Sequence, residues 1–282
     1  MKVLINYAND KYKKTQKVNT WTGKYVGKID ETYSFNPSDI ESTFYNENKK
    51  TLDNQRGNGL WLWKPYFILK VMKKREEGDI IIYSDSGSFF LRNVDKLIET
   101  MGEKKIWVSD IPLLEDNFTK PFCFKEMNCE NDIYKSTNQI QATFFMAINC
   151  KETRIFVEKW LDLCCKPDLL SPEKAEVTKC SSGINFIEHR EDQSILSLLC
   201  KKEGILPHLD PTHRGKYPKW YENDRYKFLE TNHNDKYPPI LFLHKTPDVN
   251  IISCLRQFLI CLKTKYSILE KLDDYRKTIL RF

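Results

Sequence analysis

Residues Arg56 to Ser88 read RGNGLWLWKPYFILKVMKKREEGDIIIYSDSGS. The stretch divides into a Gly- and Trp-rich loop, a short helix and a buried strand. The strand, Asp79 to Tyr83, is almost entirely apolar and β-branched. A run of that kind fits a central strand covered on both faces. It gives way at once to Ser84, Asp85, Ser86, Gly87 and Ser88. In an open α/β sheet, ligands bind just past the carboxyl ends of the strands. A carboxylate there, flanked by small residues, leaves room for a metal ion and a diphosphate. Capping the turn that follows a strand is the other use of such an aspartate.

Upstream, Lys2 to Tyr7 alternates and reads as a first strand that ends at Ala8, Asn9 and Asp10. Residues 11–55 are polar and predict one helix, a loop with Pro37, and a second helix from Ser38 to Lys50. Ser38 is its expected N-cap, with Glu41 as the capping-box partner. Lys64-Pro65 opens the next helix, because proline suits the first turn. Leu91, Val94, Leu97, Ile98 and Met101 recur at helical spacing. Lys105 to Ser109 reads as a strand, and Asp116 to Thr137 as a long excursion near a binding site. Gln141 to Asn149 is a second buried strand, followed by a helix from Thr153 to Cys165. Pro167 to Ile184 reads as a loop, His189 to Lys202 as a helix, and 205–239 as irregular. Ile240 to His244 is the last strand. Strands that alternate with helices predict an α/β fold with a mostly parallel, helix-flanked sheet. The expected division is one domain over 1–247 and a helical C-terminal tail over 248–282.

Composition narrows the function. The 282 residues carry a net charge of +6, with Lys and Arg interleaved among Asp and Glu. No long basic run marks a nucleic-acid surface, so none is expected as a partner. The nine cysteines are an odd number without paired C-x-x-C spacing, which fits buried thiols in a reducing cytosol. The N-terminus MKVLINYAND lacks the apolar core of a signal peptide, and no run of about 18 apolar residues is present. A cytoplasmic protein is the expectation.

The segment Gly57-x-Gly59-x-Trp61-x-Trp63-Lys64-Pro65-Tyr66, followed by a buried strand ending Tyr83-x-Asp85-x-Gly87, resembles the GT-A glycosyltransferases of bacterial and viral surface-polysaccharide clusters. That group is similar to glycogenin-like and capsular sugar transferases. The similarity runs from the Val3 strand to His244. It implies a Rossmann-like GT-A fold and transfer of a sugar from a nucleotide-diphosphate donor, a UDP-sugar for preference, to a glycan or lipid-linked glycan. GT-A enzymes usually end the strand Asp-x-Asp, whereas here the sequence is Asp85-Ser86-Gly87. The resemblance therefore gives the metal to Asp85 and a late histidine, His244. Imidazole favours Mn²⁺ over Mg²⁺. Lys245 is then placed to neutralise the diphosphate, with Arg56 and Lys64 adding positive charge.

The same resemblance seats nucleobase and ribose at Tyr7, Ala8 and Asn9. It puts the donor near Asn58, Trp63, Ser84 and Ser86, and the donor sugar beside Gln141 and Ala142. Glu191 and Asp192 fall where such enzymes hold an acid near the acceptor hydroxyl. First-turn acids also suit any helix through its dipole. His208, His213, His233, Tyr217, Trp220 and Tyr221 are candidates for acceptor binding. Arg256, Lys263, Lys265, Lys271, Arg276, Lys277 and Arg281 make the C-terminal helix basic. Such a helix either rests peripherally on an anionic membrane or packs on the domain or in a dimer interface. Two other readings stay open: a non-catalytic glycan-binding module, and a nucleotidyl or sugar-phosphate transferase. The latter is disfavoured by YANDKYKK, which lacks the usual glycines after the first strand.

Overall fold

The computed structural model describes residues 1–172, 186–215, 233–252, 254–256 and 259. Nine strands are defined among them: β1 Lys2–Tyr7, β2 Glu31–Phe35, β3 Ile80–Ser84, β4 Ser88–Phe90, β5 Ile106–Trp107, β6 Asp110–Leu114, β7 Asn138–Ile140, β8 Phe144–Ile148 and β9 Leu241–Leu243. The principal helices are α1 Lys13–Tyr25, α2 Trp63–Met72, α3 Asp95–Met101, α4 Lys151–Cys164 and α5 Glu191–Lys202.

The central sheet has five strands in the order β2-β1-β3-β8-β5. β2, β1 and β3 pair in parallel, whereas β8 runs antiparallel to both β3 and β5. Four strands therefore point one way and only β8 is reversed. Alternate residues feed two cores, as the two-residue repeat of a strand demands. Val3, Ile5, Ile81, Tyr83, Phe145 and Ala147 face the core built with α2, α4 and α5. Leu4, Ile82, Phe144 and Met146 face the opposite core with Val94, Leu97 and Trp107. Ile81 and Ile82 are fully buried, each worth about 1.5–3 kcal/mol of hydrophobic stabilisation.

Several expected boundaries move. β3 ends one residue later than read, at Ser84. β2 was not expected; it is a half-exposed edge strand whose only large apolar side chains are Tyr33 and Phe35. The helix expected from Ser38 to Lys50 is broken into a 3₁₀ turn, Pro37–Asp39, and two short helices. Asn36, not Ser38, caps the turn: its side chain accepts from the Ser38 amide while Asp39 accepts from the Asn36 amide. Asp116 to Thr137 holds short helices rather than an open excursion. Pro167–Leu170 is likewise helical. The rest of that expected loop, from residue 173, lies outside the described residues. Residues 251, 252, 254–256 and 259 are helical, and the rest of the expected C-terminal helix, Lys263 to Arg281 included, lies outside the described residues. No described helix is long and apolar enough to cross a membrane.

Candidate active site

A cavity of about 530 Å³ opens where β1 and β3 end and where the reversed β8 begins. Tyr7, Ala8 and Asn9 follow β1; Asp85, Ser86 and Gly87 follow β3; Thr143 precedes β8; all line the cavity. Its remaining wall is the tryptophan loop, the entry to α5, and Lys245 after β9.

The tryptophan loop owes its shape to an uncommon backbone. Gly57, Asn58, Gly59, Leu60 and Trp61 all have positive φ, between 52° and 101°. Five successive residues thus form a left-handed turn. Left-handed geometry costs an ordinary L-residue about 1–2 kcal/mol, so glycines at two of the five positions lower the strain. A Cβ on Gly57 would stand 2.3 Å from the Trp61 ring, so only glycine lets that indole fold back. Trp63 then opens α2, donates from its indole N–H to the Gly57 carbonyl at 3.0 Å, and stacks on Tyr7 with centroids 3.9 Å apart. Strain held in this way collects at functional loops.

Lys64 is the second organising feature. Its side chain is 3% exposed, and Nζ lies 2.9 Å from Asp192 Oδ2 and 3.6 Å from Asp85 Oδ1. It donates to the Ala142 carbonyl at 2.9 Å. Burial opposes its charge, but the two carboxylates outweigh burial and hold its pKa above the ordinary lysine value. Asp85 Oδ1 also accepts from the Tyr83 hydroxyl at 2.5 Å. Asp192 is buried, and desolvation pushes its carboxyl up to about 7 against the pull of Lys64. An acid of that strength exchanges a proton near neutral pH, as a general acid or base must.

Glu191 and Asp192 enter α5 from a strained position, since Glu191 has φ +39°. Arg56 reaches over from the tryptophan loop and pairs with the Glu191 carboxylate through Nε, with Nη2 3.4 Å from Oε2. Arg56 therefore ties the loop to α5. Burial still raises the Glu191 pKa despite that pair.

Gly87 and Lys245 close the cavity. Lys245 donates its backbone N–H to the Gly87 carbonyl at 3.0 Å. A Cβ on Gly87 would lie 3.3 Å from the Lys245 Cα. Lys245 keeps solvent contact, yet it is enclosed enough that desolvation lowers its pKa to about 8, with Arg214 and Arg190 adding repulsion. Of these cations, Lys245 and Arg190 line the cavity, Arg190 paired with Glu188 at 3.2 Å.

His244 lies beside the cavity rather than on its wall. Burial lowers its pKa, against the pull of the Thr246 backbone hydrogen bond, and so favours the neutral ring. Nδ1 sits 3.2 Å from Thr246 Oγ1, and Nε2 is buried without a hydrogen-bond partner among the described residues. The Thr246 backbone N–H donates to Nδ1 at 3.3 Å, which leaves the proton of the neutral ring on Nε2, so a cation at Nε2 would require the other tautomer. Asp85 and His244 suit a divalent cation only by residue type, carboxylate and imidazole. No group of three or more His, Cys, Asp or Glu stands ready for one among the described residues, so phosphate oxygens and water would complete such a site.

The expected residues divide accordingly. Tyr7, Ala8, Asn9, Arg56, Asn58, Trp63, Lys64, Asp85, Ser86, Glu191, Asp192 and Lys245 share one cavity. Ser84, Gln141 and Ala142 stand behind it. The Ser84 hydroxyl joins Asn19 and Ser88, and Gln141 bonds Ser109 and Thr143. Tyr7 was expected to stack on a base, but its ring is occupied by Trp63; Tyr12 is the half-buried aromatic on the same wall. The histidines expected to meet an acceptor are internal ties. His233 pairs with Asp110 at 2.7 Å and His208 with Asp235 at 3.0 Å. His213 stacks on Phe242. Tyr217, Trp220 and Tyr221 lie outside the described residues. Residues that the sequence did not single out include Lys11, Tyr12, Thr143 and Arg190. Only their position after β1, just before β8 or just before α5 marked them.

No family model and no curated protein sequence matches the chain. Among solved structures, it is similar to the galactosyltransferase LgtC in complex with donor and acceptor sugar analogs. That likeness has 14% identity and a TM-score of 0.50, and covers 93% of this chain and 95% of that one. Mouse xyloside xylosyltransferase 1 in its apo form matches at 8% identity and TM-score 0.45, over 87% of this chain and 98% of that one. The bifunctional glycosyltransferase WbbM matches at 9% and 0.45, over 93% and 44%. At such identities the likeness speaks for the fold. The sheet and its helices are those of a GT-A glycosyltransferase fold.

Proposed function

We propose that this chain is a cytoplasmic glycosyltransferase of surface-polysaccharide synthesis. It moves a sugar from a nucleotide-diphosphate donor, a UDP-sugar, to a hydroxyl of a glycan or lipid-linked glycan. One observation carries the reading: the cavity at the carboxyl end of β1 and β3 sets Asp85 and Asp192 against Lys64, Arg190 and Lys245. Such a floor matches a substrate with a diphosphate at one end and a reacting hydroxyl at the other.

The chemistry follows from these charges. Breaking the donor's glycosidic bond leaves negative charge on the diphosphate, and Lys245 with Arg190 is placed to meet it. Asp192 receives or orients the acceptor hydroxyl, Lys64 holds Asp192 in place, and the Arg56–Glu191 pair fixes the loop around the donor. Asp85 and His244 would hold Mn²⁺ or Mg²⁺, which when bound supplies further charge neutralisation at the diphosphate.

The test is nucleotide release from a panel of nucleotide sugars with Mn²⁺ and without it. The wild-type protein is expected to release nucleotide from at least one donor. Asp85→Ala is expected to release none while keeping its melting temperature. Silence of the wild type across the panel, or full activity in Asp85→Ala, contradicts the proposal. In the first case, binding of a nucleotide sugar without turnover would identify a recognition module.

A further inference from the structure

α1 is built inside out. Its buried side chains are Thr15, Gln16, Asn19 and Thr22, all polar, with Gly23. They are held by hydrogen bonds, Asn19 alone reaching Asn6, Ser84 and Ser88. Its two aromatic residues point outward instead: Trp21 is 60% exposed and Tyr25 53%. Their rings lean on each other at 5.3 Å. Lys14, Lys17 and Lys24 are exposed on the same helix, three and then seven residues apart so that they share one face, with exposed Lys13 beside them. Lys28 is exposed in the turn beyond. No acidic residue occurs within α1.

Lysines flanking Trp and Tyr are the pattern that settles at the boundary between lipid headgroups and acyl chains. We propose that the outer face of α1 docks on a bilayer of anionic phospholipid. Charge complementarity names the headgroups. A neighbouring surface favours lipid over nucleic acid: Lys14 lies 3.6 Å from Asp248, just before Ile251, Ile252, Leu255 and Leu259, each more than half exposed. Aliphatic side chains of that kind suit an acyl boundary and offer nothing to a phosphate backbone. Docking would also set the reaction at the membrane, because Lys11 and Tyr12, immediately before α1, line the cavity. That differs from contact through the basic C-terminal residues, since it uses a helix of the catalytic domain itself.

The test is co-sedimentation of the full chain with vesicles of phosphatidylcholine, with and without phosphatidylglycerol. The wild type is expected to partition onto the anionic vesicles and to be released by salt. Lys17→Glu/Lys24→Glu is expected to weaken partitioning by about tenfold or more. Trp21→Ala/Tyr25→Ala is expected to weaken it on salt-poor vesicles too. Both variants should keep the wild-type melting temperature. Equal partitioning of wild type and both variants overturns the proposal. So does absence of binding to anionic vesicles, or loss of binding only in Ile251→Ser/Ile252→Ser/Leu255→Ser. Tighter binding to duplex DNA than to vesicles, or dimerisation through Trp21 in place of vesicle binding, overturns it as well. Vesicle binding is read without donor or transfer, so its failure leaves the cavity assignment untouched.

Discussion

Lys64 places one ammonium between two carboxylates with almost no water access. Removing the ammonium from between them leaves buried Asp192 uncompensated, which costs about 3–5 kcal/mol, whereas removing the partly exposed Asp85 leaves Lys64 still paired with Asp192. Lys64→Met is therefore expected to lower the urea midpoint by that equivalent, and Lys64→Arg is not expected to restore it, because a guanidinium does not fit an ammonium's site. A melting curve like that of the wild type would show that the buried charges are not coupled. Asp192 permits a kinetic test. With its carboxyl raised to about 7 by burial, a general base there becomes competent as pH rises through 7. Asp192→Asn is expected to cut kcat by about 10²–10⁴ and to erase that limb while the donor KM stays close to wild type. A limb that survives the substitution assigns the proton to another group. Part of this was legible in the sequence: Asp85 stood out at a strand end, while Lys64 and Asp192 were singled out through the resemblance, the first-turn position of Asp192 having a plain dipole explanation as well. Their mutual contact was not: 128 positions separate Lys64 from Asp192, and nothing local records it.

The elements around the cavity hold it by backbone geometry as much as by side chains. The left-handed turn before α2 is the clearest case. Gly57→Ala would both oppose a φ of +60° and drive a methyl into Trp61. It is expected to cost at least about 1–2 kcal/mol and to raise the donor KM by displacing the loop, as thermal melting and donor titration would read out. An unchanged KM would mean that the loop does not touch the donor. The Gly-x-Gly spelling announced a loop, but not that five residues would turn left-handed together. β3 and β8 were read correctly as buried strands. Their opposite directions were not, because an apolar run says how deep a strand lies and nothing about which way it points. β2 escaped for the converse reason: a half-exposed edge strand with two aromatic residues carries little periodic signal.

Across the whole molecule, charge pairs far from the cavity fasten the late part of the chain to the sheet. The hydrogen bond to Asp110 raises the His233 pKa above its ordinary value. A group raised in this way gives its full stabilisation below about 6.5, the unfolded imidazole value, and loses it as pH climbs through the raised value. The melting-temperature gap between wild type and His233→Ala is therefore expected to be widest in mild acid and to narrow above neutrality. A gap that grows with pH would reverse the assignment. No pattern of spacing had set these histidines apart from acceptor-binding ones, since their carboxylate partners come from distant strands and loops. Lys245 connects this part of the chain to function. Desolvation lowers its pKa to about 8, so if Lys245 meets the proposed diphosphate, kcat/KM for the donor should fall as pH rises past 8, and Lys245→Met should flatten that fall. The most direct measurement is a calorimetric titration of UDP, with Mn²⁺, into wild type, Asp85→Ala and Lys245→Met. Saturable binding to the wild type that is weakened in both variants is the predicted result. UDP binding of equal strength to all three proteins would contradict a diphosphate site at the end of β3.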